Sequence, residues 1–422
     1  MEARAPSGHQ SVACCMATLH MLAKVSPMLL KDRLLHPVAG YLKMPDDSKV
    51  NAAIYYHAVA IICHVAKSCD ALVELEVAST RADVIQPLID FTKKGNAGPP
   101  EVTKIVIGQV VECLCSLCYA PGTRDQYAPL VFAHFNSVYR CLAFGLLKNP
   151  ETLARHPTHV LRYLMLLAGF LRGFPWDSHQ PLFEGWMAEG TRILACADVP
   201  PAERVFAQGP VLKACHGLLL QAKELSMHPK CPVPPHMQAV VLMGIGSLCI
   251  MDPKTYLDPA MPTMQDLRSA LGQVDHESVQ YNALCVVRDY LRTDAERVKA
   301  AADRQCNSQG GTTEVGQTDT GFSAYCATEP LKEVLDCLLS PYFAVRALAL
   351  EVVGMAVEDL GLVSPAPCIE GVVSVLDDPR LAARTRSLLE FFTVKHRNEL
   401  QNRAMNSVMR SFLFSLGQQP AG

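Results

Sequence analysis

The residues best suited to chemistry are the cysteines. Cys115-Ser-Leu-Cys118 has the CxxC spacing of a metal or redox site, with Cys113 beside it and Cys141 downstream. A structural zinc site needs a turn that converges the thiolates and a second ligand pair at fixed spacing. Here the motif lies among valines and leucines at helical spacing and no second CxxC follows, so the thiols read as small core hydrophobes. The strand–turn–helix setting of a redox CxxC is likewise missing. His156 and His159 flank Pro157 without a nearby carboxylate–histidine set, and no HExxH occurs. Gly244-Ile-Gly246 lacks the third glycine and the preceding strand of a dinucleotide fingerprint, and reads as a place where a neighbouring helix comes close. Neither GxxxxGK[ST] nor GxSxG is present. Asp377-Asp378 looks like a carboxylate pair, but followed by Pro379 it has the form of a helix-start turn. No catalytic constellation is expected, and no cofactor or metal.

Charge is more suggestive. From Arg380 onward the chain carries Arg380, Arg384, Arg386, Lys395, Arg397, Arg403 and Arg410 against Glu390 and Glu399. Such a set can contact phosphates in a sequence-independent, salt-sensitive way; the same residues would also suit a solvated outer helix face. Arg380, Arg384, Arg386, Lys395 and Arg397 are the candidate DNA contacts. Lys148, Arg155, Arg162 and Arg172 form a second, looser set.

The elements that position these residues are helices. In 422 residues, half are apolar, 19% are charged and the formal net charge is −3. That composition supplies a large core and argues against a generic polyanion binder, though a neutral total can hide a basic face. The 17 cysteines are scattered and point to free thiols in a reducing compartment. There is no signal-peptide pattern, and no stretch reads as uniformly apolar for the length of a membrane span.

The stretch from Leu331 to Phe392 sets the architecture. An apolar helix to Leu339 meets Ser340-Pro341, and a second carries Val345, Ala349, Val352, Val353 and Ala356 before Gly361 and Pro365. The pattern then repeats, with Ile369–Leu376, a break at Asp377-Asp378-Pro379 and a helix from Leu381. Pro341 and Pro379 are 38 residues apart, each followed five residues later by an arginine, Arg346 and Arg384. This is the period of HEAT-type helical repeats, which bury their apolar faces by stacking. The shared slot predicts a structural role for both arginines. The spacing predicts an all-α chain, an α-solenoid of HEAT-type repeats. Residues 1–150 read as helical repeats. Residues 151–370 read as a second helical domain with a Pro-rich insert at 199–235 and a disordered polar loop at 304–328. Residues 371–422 read as terminal helices with a basic face and a short tail.

MQAVVLMGIGSLCIMDPKTYLDP, with Gln238, Ala239, Gly244, Gly246 and Pro253, resembles a repeat near the C-terminus of the cohesin loader family (Nipped-B, adherin, the sister chromatid cohesion loader). AVRALALEVVGMAVEDLGLVSPAPCIEGVVSVLDDP is similar to a further segment of that family through Val345, Arg346, Leu362, Val363, Pro365, Cys368, Asp378 and Pro379, with Ser364 where the family has His. Upstream, LRYLMLLAGFLRGFPWD and ATLHMLAKVSPMLLKDRLLHPVAGYL resemble family stretches in the same order. The resemblance implies a hook-shaped, non-enzymatic array in the nucleus, on chromatin. It would engage the ATPase heads and kleisin of the cohesin ring and DNA, stimulating the ATPase and loading cohesin. The family's longer N-terminal part, which binds a TPR-type partner, has no counterpart here, so a C-terminal fragment is expected. The rival reading is a cytosolic HEAT-repeat scaffold or adaptor without DNA contact.

Overall fold

The computed structural model describes residues 8–30, 35–43, 49–68, 84–94, 100–119, 124–194, 200–307 and 320–417. Among them there is no β-strand, and the chain is all-α. It divides into two compact units, Met1–Pro232 and Val233–Gly422.

The first unit contains α1 (Gly8–Val25), α2 (Leu35–Gly40), α3 (Lys49–Ser68), α4 (Gln86–Lys94), α5 (Pro100–Tyr119), α6 (Arg124–Cys141), α7 (Pro150–Arg155), α8 (Pro157–Gly173), α9 (Gln180–Ile193) and α10 (Val211–Ser226). Polar and proline residues set the ends. The Asn149 side chain accepts from the Thr152 N–H at 2.8 Å and Pro150 occupies the first turn of α7, satisfying one donor and removing another. α1, α3, α5 and α8 follow one another as neighbours, with α6 packed on α5, α8 and α9. The core between α6 and α9 is aromatic: Phe132 lies 4.7 Å from Phe174 and 4.8 Å from Phe183, and Phe135 lies 4.6 Å from Trp176. Trp176 is fully buried and donates its indole N–H to the Leu171 carbonyl at 3.1 Å, which lets a polar atom enter that core.

The second unit contains α11 (Pro234–Met251), α12 (Pro253–Tyr256), α13 (Thr263–Leu271), α14 (Glu277–Asn307), α15 (Thr320–Thr328), α16 (Leu331–Cys337), α17 (Phe343–Gly354), α18 (Pro365–Val373), α19 (Ala382–Lys395) and α20 (Arg397–Gly417). Three consecutive pairs, α13/α14, α16/α17 and α18/α19, stack so that α13, α16 and α18 adjoin on one side and α14, α17 and α19 on the other. α11 crosses α14 closely. A Cβ at Gly246 would lie 2.9 Å from the Val286 side chain, so any larger residue there would force Val286 or the helix to shift. Gly361, at φ +60°, turns the chain after α17.

Two sequence expectations change. Within 304–328, residues to Asn307 complete α14 and Thr320–Thr328 form α15, with Ser323, Cys326 and Ala327 buried; residues 308–319 lie outside the described residues. α15 earns its order from packing on α14, a long-range contact that its polar, glycine-bearing sequence does not announce. Second, Val102–Tyr119 and Pro234–Met251 do have the length and mean hydropathy to cross a membrane. Both are core helices, α5 packed on α3 and α8 and α11 on α14.

Among the described glycines, the closest approach is where α6 crosses α9. A Cβ at Gly190 would lie 1.8 Å from the Pro129 carbonyl oxygen, a backbone atom that cannot swing aside. Gly190→Ala is expected to destabilise the first unit by about 3 kcal/mol, read from the urea midpoint of unfolding.

Candidate functional site

The turns of the second unit are joined by a polar ladder. Gln280, at the start of α14, donates to the Leu271 carbonyl at 2.7 Å and accepts from the Ser340 hydroxyl at 3.1 Å. Arg346, in the first turn of α17, donates to the Ser340 and Pro341 carbonyls at 2.7 and 3.1 Å. Its other terminal nitrogen reaches Asp378 in the next repeat's turn at 2.8 Å. The side chains of Arg346 and Asp378 are only 11% and 13% exposed. Burial would raise the Asp378 carboxyl, but Arg346 and the Arg380 backbone N–H, bonded at 3.0 Å, overcome this and hold it below the usual carboxylate value. Asp378 thus caps its own turn while pairing with the preceding one. It is not half of a catalytic dyad: Asp377 is exposed at the turn surface.

The five candidate DNA contacts occupy different settings. The Arg380 guanidinium sits 3.8 Å over the Phe343 ring and 3.6 Å from Asp378. Arg384 pairs with Glu358 at 3.1 Å, across the groove that Gly354 leaves open; a Cβ at Gly354 would meet the guanidinium at 2.5 Å. Arg386, Lys395 and Arg397 are exposed. At about 100° per residue, Arg384 and Lys395 lie within about 20° on α19, whereas Arg386 lies about 180° from Lys395. The structure therefore brings Arg380 and Arg384 into the turn framework and spreads the other three over more than one face. Beside Arg384, a cleft of about 530 Å³ is lined by Arg292 and Lys299 as well as by Glu296, Glu351 and Asp359. Arg292 is paired with Glu351 at 2.5 Å, so the cleft's charge is balanced.

The residues of the family-like stretches fall into packing and turns. Ala239 and Cys368 are buried, Gln238 is half-buried, and Gly244 and Gly246 lie in the buried part of α11. Pro253 and Pro365 start α12 and α18, and Pro379 is exposed after Asp378. In the second basic set, Arg155 and Lys148 are exposed and Arg162 is half-buried.

The cysteine motif lies within the core. Cys113, Cys115 and Cys118 are buried in α5, and burial pushes all three thiols up, away from the reactive thiolate. At Cys113 the hydrogen bond to Cys63 is the larger cause and burial the second. Cys115 packs where a Cβ on Gly173 would sit, so its sulfur fills the α5–α8 crossing. His156 and His159 are exposed with ring centroids 6.0 Å apart. Among the described residues, no group of three or more His, Cys, Asp and Glu has the arrangement to hold a metal ion.

The sequence reading missed a histidine seam. His20 of α1 lies between His57 and His64 of α3, its ring 5.3 and 5.4 Å from theirs. His20 Nδ1 is 3.1 Å from His57 Nδ1, so one must donate and the other accept. Burial and the neighbouring imidazoles lower His20, and burial lowers His57 and His64. The seven-residue spacing of His57 and His64 marks one helix face; His20 completes the seam only by tertiary packing.

This geometry places the molecule in the class of all-helical proteins, with three stacked helix pairs in the second unit whose turns are joined by buried polar groups. Residues 324–421, which hold the turn ladder beyond Gln280, match the family model described as the sister chromatid cohesion C-terminus of Nipped-B. Over 90% of its length the chain is 22% identical to Nipped-B-like protein A of Danio rerio. It is 21% identical over 89% of its length both to Nipped-B-like protein B of Danio rerio and to the Nipped-B-like protein of Mus musculus. The chain spans 12–14% of the length of these relatives.

Two measurements test these assignments. Arg346→Ala removes the shorter of two guanidinium contacts to Asp378, leaves it only Arg380, and strips the Ser340 and Pro341 carbonyls of their donor; it is expected to cost about 2 kcal/mol of stability by urea denaturation. Arg346→Lys, which cannot span two carbonyls and a carboxylate in the same way, restores only part of it. His134 gives a pH signature to the first unit. It is fully buried, with Nε2 2.7 Å from the Thr92 hydroxyl, and burial brings its pKa down to about 3. The unfolded chain takes up a proton near pH 6.5 that the folded one refuses, so this stability is present above 6.5 and lost on acidification. Between pH 7.5 and 5.5 the loss from His134 alone is about 1.4 kcal/mol. His134→Gln is expected to flatten that part of the pH profile in urea denaturation.

Proposed function

We propose that the chain is a non-enzymatic α-solenoid that acts in sister chromatid cohesion by promoting cohesin loading onto chromatin in the nucleus. The observation that carries this reading is the match of residues 324–421 to the sister chromatid cohesion C-terminus, on a segment whose helix pairs stack with a shared turn ladder. Stacked pairs leave extended ridges of exposed side chains, which suit a protein that works by holding others. The partners in this reading are the ATPase heads and kleisin of the cohesin ring, and duplex DNA. A TPR-type partner belongs to a part of the family outside this chain. Arg386, Lys395 and Arg397 are the cations open to phosphate, because Arg380 and Arg384 already serve Phe343, Asp378 and Glu358.

A second reading, a scaffold or adaptor that holds proteins without touching DNA, draws support from the same placement. Three cations spread over two helices make a weak phosphate track. Fluorescence anisotropy with duplex DNA separates the two. DNA contact predicts binding at about 50 mM salt that weakens with a log–log slope of roughly −3, and at least about tenfold weaker binding when Arg386, Lys395 and Arg397 are all changed to Glu. No binding at about 50 mM salt, together with retention on immobilised cohesin head–kleisin complex, is the adaptor outcome. Failure to bind both overturns the cohesin-loading reading.

A further inference from the structure

α20 carries an apolar face that, among the described residues, stays exposed. Met405, Val408, Met409, Phe412 and Leu413 are each 53–73% exposed. Their spacing of three, four, seven and eight residues puts them on one side of the helix. Towards its N-terminus the same side continues through Asn398, Gln401 and Asn402, which are exposed and uncharged. At about 100° per residue, Glu399 and Arg403 lie more than about 100° from the centre of the apolar face, and Arg397, in the first turn, lies about 90° from it, at its edge. Arg403 is tied at 2.6 Å to Glu370 of α18, the helix on which α20 packs. A solvated outer helix face normally carries charge, and from Asn398 to Leu413 the described side chains on this side of α20 carry none.

We propose that this face is a homotypic interface, in which α20 of one chain packs antiparallel on α20 of a second copy. Two observations favour a second copy over another protein. The face has no charge, so it meets an identical face without repulsion, and a two-fold axis across the helix sets Met and Phe of one chain against Met and Leu of the other. Methionines at such positions adapt to an imperfectly matched surface. The area is also sufficient. Five large apolar side chains at this exposure present on the order of 500 Å², so a pair covers roughly 1,000 Å², the lower bound for a specific interface and one that gives a concentration-dependent dimer.

Sedimentation velocity of the full chain across a dilution series tests the proposal. The expected result is a monomer–dimer transition in the micromolar range, with Phe412→Glu raising the dissociation constant at least about tenfold. Met409→Gln keeps side-chain length and helix propensity; if Phe412→Glu alters the circular dichroism or the melting curve, Met409→Gln decides, with an expected weakening of several fold. Val25→Glu, on the exposed face of α1, is expected to leave the transition unchanged. A wild-type chain that stays monomeric at about 100 µM overturns the proposal and assigns the face to a different protein. A dimer insensitive to Phe412→Glu and Met409→Gln, or one abolished by Val25→Glu, overturns it as well.

Discussion

The second unit depends on the ion pair between Arg346 and Asp378. Neither helix pair can close its own turn: the carbonyls of Ser340 and Pro341 need donors and the Asp378 carboxylate needs a cation. One guanidinium meets both needs, because its planar fork presents donors in two directions at once. The contact is nearly shielded from water, so it sets register as well as energy: if α18 slips by one residue against α16 and α17, the Asp378 carboxylate loses its shortest cation contact and keeps only the longer one to Arg380. Apolar stacking supplies the drive for assembly. The ladder from Gln280 through Ser340 and Arg346 to Asp378 determines which stacking is adopted.

This division explains what the sequence disclosed. Helix content followed from apolar spacing, and the repeat followed from Pro341 and Pro379 with their trailing arginines. Asp378 was readable as a turn residue because its bond to the Arg380 N–H is local. Partners distant in sequence were not readable. Arg380 and Arg384 count as two charges in any tally, yet Phe343 and Glu358 hold them, and Arg384 fits only because Gly354 has no side chain. The 320–328 segment looked like loop because Ser323, Cys326 and Ala327 become a buried face only against α14. The His20–His57–His64 seam was invisible for the same reason, since it joins residues 37 and 44 positions apart.

The cysteines make a related point about chemical potential and its suppression. Cys113, Cys115 and Cys118 have the spacing of a functional motif, and their burial in α5 removes the ionised form that ligation or nucleophilic attack requires. Cys115 is instead used for its size, as the group that fills the gap beside Gly173. In a chain of stacked helices the recurring requirement is close approach of two cylinders. Glycine and cysteine meet it from opposite sides, one by vacating space and the other by filling it with a small polarisable atom.

The turn ladder also has a mechanical consequence. Its bonds are short and directional, so they resist separation of neighbouring turns within a fraction of an ångström, whereas the apolar faces of α14, α17 and α19 can slide or rotate with a smaller change in energy. The second unit is therefore an anisotropic elastic body, stiff along the line of Ser340, Arg346 and Asp378 and compliant away from it.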